Sequence, residues 1–191
     1  MKVPITDSLK KKIFVALLAA GVSAPSAYIA VDHTVPSEGF YTSVYVDPVG
    51  LKTYCVGHMA RKTETLKTSY TEAECINLFV KDWKEHEAQL NKVVKVPYRS
   101  EWMKGSGTDF TFHMGINSVA SSTYLRNLNN KRYDLACEQL TRWVYGKVNG
   151  VSVKMPGLVT RATARYKYCM GEVPTSYKPT LERWGVNEQG I

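Results

Sequence analysis

Residues 38–53 read EGFYTSVYVDPVGLKT and put two carboxylates, Glu38 and Asp47, and one hydroxyl, Thr53, into a single glycine-punctuated stretch. Their separations of nine and six residues let the segment fold back at the DPVG turn, which would bring all three side chains to one cleft. Hydrolysis of a glycosidic bond needs such a set: a carboxylic acid to protonate the leaving oxygen, and a second polar group to hold water or face developing positive charge. A hydroxyl beside the second carboxylate suits water binding. The same residues also admit a purely structural reading, with Glu38 capping a helix, Asp47 forming a turn with Pro48 and Gly50, and Thr53 lying in a strand.

The surrounding pattern supplies elements to hold such a cleft. From Glu38 to about Lys67, aromatic and β-branched residues alternate around the DPVG turn, which predicts a small β-sheet. Beyond it the period becomes helical. TEAECINLFVKDWKEHEAQL opens with Thr71 and Glu74 as a capping box and sets Cys75, Leu78, Phe79 and Trp83 near helical spacing. Further helices are predicted around 98–118, 123–130, 131–145 and 156–170, the last entered through a loop, KVNGVSVKMPG, with Pro156 near its start. Residues 32–37 read as a linker, and the turn-rich C-terminus as a tail on the surface. The architecture is α+β: a small sheet near the front, then mostly helices.

At 191 residues and 44% hydrophobic content, the chain can bury one core of moderate size. A net charge of +8 asks for an acidic partner, and nucleic acid, anionic lipid and an anionic wall polymer all qualify. The bases are dispersed apart from Lys10, Lys11 and Lys12, and no nucleic-acid-binding signature accompanies them, so no nucleic-acid partner is expected. Four widely spaced cysteines without a CxxC pair speak against zinc; exported, they would form two disulfides. His33, His86 and His113 lack metal-ligand spacing, so neither a metal nor a cofactor is expected.

Directly after the three lysines, residues 13–31 (IFVALLAAGVSAPSAYIAV) form an uncharged run of bilayer-spanning length. Ala, Gly, Ser and Pro25 dilute it, so its insertion into lipid would be marginal. A cleaved signal peptide, a permanent anchor and a buried core helix are the competing readings. The lysines ahead of an unbroken apolar run favour an export role, with the chain divided into residues 1–31 and a soluble domain, 32–191.

The string E-G-F-Y-x-x-x-Y-x-D-x-x-G-x-x-T-x-x-x-G-H resembles the catalytic loop of the phage-type lysozymes, a glycoside hydrolase family, through Glu38, Gly39, Tyr45, Asp47, Gly50, Thr53 and Gly57. Downstream, FHMGINSVASSTYLRNLN, ACEQLTRW and PGLVTRATARYKYC are similar to the family's glycine-rich, Trp-bearing and Arg-bearing helical segments, so the resemblance spans about 38–170. It implies a mainly helical lysozyme-like domain whose small antiparallel sheet carries the catalytic loop. It implies Glu38 as general acid, Asp47 as the carboxylate on the opposite face, Thr53 as the group positioning water, and an inverting muramidase acting on peptidoglycan glycan strands.

This chain departs from the family where Asn is usual and His113 stands, and where an Arg-Arg-x-x-Glu pattern is replaced by Arg161, Ala162 and Arg165. Some lambdoid endolysins similar to it carry a signal-anchor-release segment. By that resemblance, residues 13–31 tether an inactive, periplasm-facing enzyme to the host inner membrane and then release it to the periplasm. The subgroup also carries cysteines at these positions, and the expected pairing is Cys55 with Cys75 and Cys137 with Cys169.

Elsewhere the expectations are structural. His58 is a fold-supporting residue near the cleft floor, Trp83, Trp102 and Trp143 pack in the core, and Arg126, Arg142, Arg161 and Arg165 lie on a solvated face. A monomer is expected, since there is no heptad pattern. A lytic transglycosylase using Glu38 without positioned water, and an inactive wall-binding module, remain open.

Overall fold

The computed structural model describes residues 1–47 and 50–188; it is mainly helical, with a small antiparallel sheet. Strand β1 (Lys2–Val3) leads to helix α1 (Asp7–Ala19), capped where the Thr6 side chain accepts from the Leu9 N–H. Gly21, at φ +83°, ends that helix, and α2 (Ala24–Ile29) starts afresh with Pro25 in its first turn. The uncharged run is therefore split into separate short helices. No helix among the described residues is long and apolar enough to cross a membrane.

A π-helical turn, Ala30–Thr34, then carries the chain into α3 (Val35–Glu38), so the expected linker at 32–37 is helical instead. The reason is burial: His33, Thr34 and Val35 point into the core, and Pro36 sits in a first turn, where proline is tolerated. From Glu38 the chain enters β2 (Phe40–Val46), β3 (Lys52–Cys55) and β4 (His58–Met59), which with β1 form one antiparallel sheet in the order β1-β2-β3-β4. Lys2 pairs with Tyr41 and Val3 with Phe40, while Tyr45 lies opposite Thr53. The DPVG turn includes Pro48 and Val49, which lie outside the described residues.

Helix α4 (Glu72–Val93) opens with the capping box read from Thr71 and Glu74. The helix expected over 98–118 is broken by Gly115 (φ +74°) into α5 (Glu101–Met114) and α6 (Ile116–Ala120). After α7 (Thr123–Asn129), the helix expected over 131–145 is shorter, α8 (Tyr133–Gln139) and one 3-10 turn. The supposed loop before Pro156 is a hairpin, β5 (Tyr145–Val148) and β6 (Val151–Lys154), turning at Asn149 and Gly150, both at positive φ. Helix α9 (Pro156–Met170) follows. The expected surface tail contains α10 (Tyr177–Trp184), held because Tyr177, Leu181 and Trp184 are buried.

Two apolar clusters form the interior. The first joins Ile13, Phe14, Leu17, Tyr28 and Ile29 to Phe40, Phe79, Trp83, Trp102 and Trp184, so much of the N-terminal run is core. The second gathers Phe110, Tyr124, Leu128 and Leu140. Each contains one disulfide, Cys55–Cys75 and Cys137–Cys169, the expected pairing.

Candidate active site

Glu38 is the last residue of α3. Gly39 follows at φ +79°, and a Cβ there would lie 2.7 Å from the Tyr41 ring, so only glycine lets the helix end and the strand begin at this point. Glu38 Oε1 accepts from Arg161 Nη1 at 2.6 Å. Oε2 faces Gly57, at φ +65°, where an added Cβ would stand 3.0 Å from the oxygen. One oxygen is held by a guanidinium and the other looks onto a glycine.

Asp47 follows β2. Its Oδ1 accepts from the Leu51 N–H at 2.8 Å and its own N–H donates to Leu51 O at 2.9 Å, so it shapes the turn as the structural reading foresaw. Thr53, buried in β3, directs Oγ1 at Leu51 O, 3.4 Å away. Tyr45 lies in β2, between Glu38 and Asp47 along the chain. Burial pushes its phenol pKa up, and the nearby Tyr41, Glu38 and Asp47 push it further, while Thr53 sits directly across the strand pair. The strand pair thus sets Thr53 opposite Tyr45, with Asp47 directly after the end of β2.

Behind Glu38 lies a charged network. Arg161 Nη2 donates to Asp109 Oδ1 at 3.2 Å, Arg165 Nε to Asp109 Oδ2 at 2.6 Å, and Thr34 Oγ1 to Asp109 Oδ1 at 2.7 Å. Arg161 and Arg165 are 7% and 1% exposed, which corrects their placement on a solvated face: their guanidiniums are matched inside by Asp109 and Glu38. Burial alone would raise the Asp109 pKa, but Arg165 and Arg161 hold it well below the ordinary carboxylate range. Burial, followed by these arginines, takes His113 down to about 3; burial also lowers His33, whose Nε2 is 3.6 Å from Asp109. Asp109 went unremarked in the sequence. Its signal was an acid set alone in the apolar helix stretch GTDFTFHMG.

Two depressions flank this constellation. One, of about 660 Å3, is lined by Pro36, Ser37, Met155 and Arg161; the other, of about 440 Å3, by Gly57, His58, Met59 and Phe112. His58 both lines the second and ties the sheet down, its Nδ1 2.7 Å from Asp82 Oδ2 and its Nε2 3.4 Å from Glu64 Oε2. Trp83 and Trp102 are buried, and Trp143 packs edge-on against Phe110, as core aromatics.

The phage lysozyme family model matches residues 36–165. The chain belongs to the phage lysozyme family. Among its relatives, a SAR-endolysin of bacteriophage PS34 is 36% identical over 133 residues, 70% of this chain and 76% of that protein. A SAR-endolysin of enterobacteria phage P21 is 33% identical over 168 residues, 85% of this chain and 96% of the relative. The endolysin from Escherichia coli O157:H7 phage FAHEc1 shares the fold at a TM-score of 0.69 and 21% identity, covering 80% of this chain and 94% of that one. The two chains thus share a fold.

Proposed function

We propose that this chain is an endolysin that hydrolyses the β-1,4 bond between N-acetylmuramic acid and N-acetylglucosamine in peptidoglycan, lysing the host at the end of a phage cycle. The observation that carries the reading is Glu38 itself. One oxygen is fixed by Arg161 and the other faces the Gly57 gap.

In this reading Glu38 Oε2 carries the proton to the leaving oxygen, and Arg161 stabilises the carboxylate left behind. Asp47 and Thr53 hold the attacking water on the opposite face, which gives inversion at the anomeric carbon. No cofactor takes part, and the chain works as a monomer.

Residues 13–31 are proposed to tether the new enzyme to the inner membrane, facing the periplasm and inactive, until release. Two features support this. The run is diluted with small residues, and the same side chains fill the core of the folded enzyme, so lipid and protein compete for them. Inserted, the run would take Phe14, Tyr28 and Ile29 out of the core and hold Glu38 only seven residues from the bilayer.

The test is muropeptide release from Gram-negative sacculi by the full chain and by Glu38→Gln, read by mass spectrometry and by NMR of the new anomeric centre. Reducing ends of inverted configuration, absent in the variant, are expected. Anhydro ends would make it a lytic transglycosylase instead, and wall binding without products a binding module.

A further inference from the structure

The cavity of about 440 Å3 on the Gly57 side of Glu38 has a mostly apolar wall, to which Leu51, Met59, Ala60 and Phe112 contribute. Gly57 joins it to the proposed acid, since a Cβ there would stand 3.0 Å from Glu38 Oε2. Most of the polar side chains on this wall are turned onto one another. His58 Nδ1 lies 2.7 Å from Asp82 Oδ2, and Arg61 Nη2 donates to Glu85 Oε2 at 3.2 Å.

His86 is the exception. It stands on α4 one turn beyond Asp82, half-buried, with its ring centroid 4.9 Å from that of Phe112. Its Nδ1 is 2.7 Å from the Asp82 main-chain oxygen, which can only accept, so Nδ1 carries the proton. In the neutral ring Nε2 is then an acceptor, and it has no hydrogen-bond partner among the described residues. The helix carbonyl thus fixes both tautomer and orientation, and the ring offers the cavity a lone pair next to an aromatic face.

A ligand matched to this wall has a hydrogen-bond donor with an apolar group beside it. We infer that His86 is the specificity-determining residue for the acetamido group of a glycan sugar, with Nε2 accepting the amide N–H while Met59 and Phe112 take the acetyl methyl. A sugar hydroxyl would donate to Nε2 as well, but it brings no methyl and would leave the apolar part of the wall facing polar groups. The inference rests on the hydrolase reading above, to which it adds one recognised feature of the sugar and the side chain that recognises it.

The experiment measures calorimetric binding of a synthetic wall tetrasaccharide and of its acetoxy analogue, in which an ester oxygen replaces each amide N–H and every methyl stays. Full-length Glu38→Gln, which lacks the proposed acid, is the reference; His86→Phe and His86→Gln are made in it, with melting curves to verify folding. The reference should prefer the acetamide. His86→Phe keeps a ring against Phe112 but has no acceptor, and should lower that preference about tenfold, the effect of one hydrogen bond between neutral groups. His86→Gln, whose Oε1 accepts, should retain most of it. An undiminished preference in His86→Phe overturns the inference, and so does equal weakening of both sugars, which would put a hydroxyl on Nε2. Either result leaves the hydrolase standing as long as the wild-type chain releases muropeptides from sacculi; no release would bring down that reading and this one with it.

Discussion

Arg161 is the residue through which the buried interior reaches the proposed acid. It spans Glu38 and Asp109 with two nitrogens of one planar group, which a lysine could not do. Asp109→Asn would leave Arg161 and Arg165 buried without their shared counter-charge. The expected cost is about 3–5 kcal/mol of stability, seen as a lowered Tm, and a fall in kcat as Arg161 loses its anchor. Gly57→Ala tests the other oxygen. With φ +65° and 3.0 Å to Oε2, a methyl there strains the backbone and presses on the carboxylate, so kcat should fall about 10- to 100-fold while Tm drops by only a few degrees. Wild-type kcat in Gly57→Ala would mean that Oε2 does not carry the proton. Glu38, Asp47 and Thr53 could be proposed from the sequence because they lie close together in one patterned stretch. The arginines could not, since their partner lies 52 and 56 residues away and charge alone does not reveal burial.

At the level of elements, the N-terminal run illustrates how two readings of one stretch share a physical basis. Hydropathy and the preceding lysines pointed to lipid, while the small residues that made insertion marginal also let α1 and α2 break at Gly21 and pack tightly: a Cβ on Gly105 would stand 2.8 Å from Ser26 Cα. In the folded form β1 extends the four-stranded sheet and pairs Lys2 with Tyr41, whereas in a spanning form the bilayer would separate them. Gly21→Leu with Ser23→Leu should shift this balance towards lipid, leaving the enzyme in the membrane fraction without muropeptide release. Spontaneous appearance of that variant in the periplasm would refute the tether. Two other elements had signals that were outweighed. Asn149-Gly150 between alternating valines is a hairpin turn, and Tyr177, Leu181 and Trp184 keep helical spacing despite Pro179.

For the whole molecule, histidines set opposite limits on stability. Burial pulls the His58 pKa down, but its bonds to Asp82 and Glu64 outweigh that and leave it raised; this contribution is complete below the unfolded value of about 6.5 and is lost as pH rises through the folded value. His33 and His113 are lowered, chiefly by burial, so the unfolded chain binds their protons first and stability declines as pH falls below about 6.5, with His113 holding out to about 3. Asp109, held low by its arginines, keeps its contribution until the pH drops below about 4, and the net charge of +8 grows in acid and steepens the same limb. A plot of Tm against pH should therefore peak near 6.5 and fall on both sides. His58→Gln should flatten the alkaline limb and His113→Asn the acid limb, each leaving the other in place. Scanning calorimetry between pH 4 and 9 on the three proteins decides it: an alkaline limb that persists in His58→Gln would show that the sheet is not held to α4 by a protonated histidine.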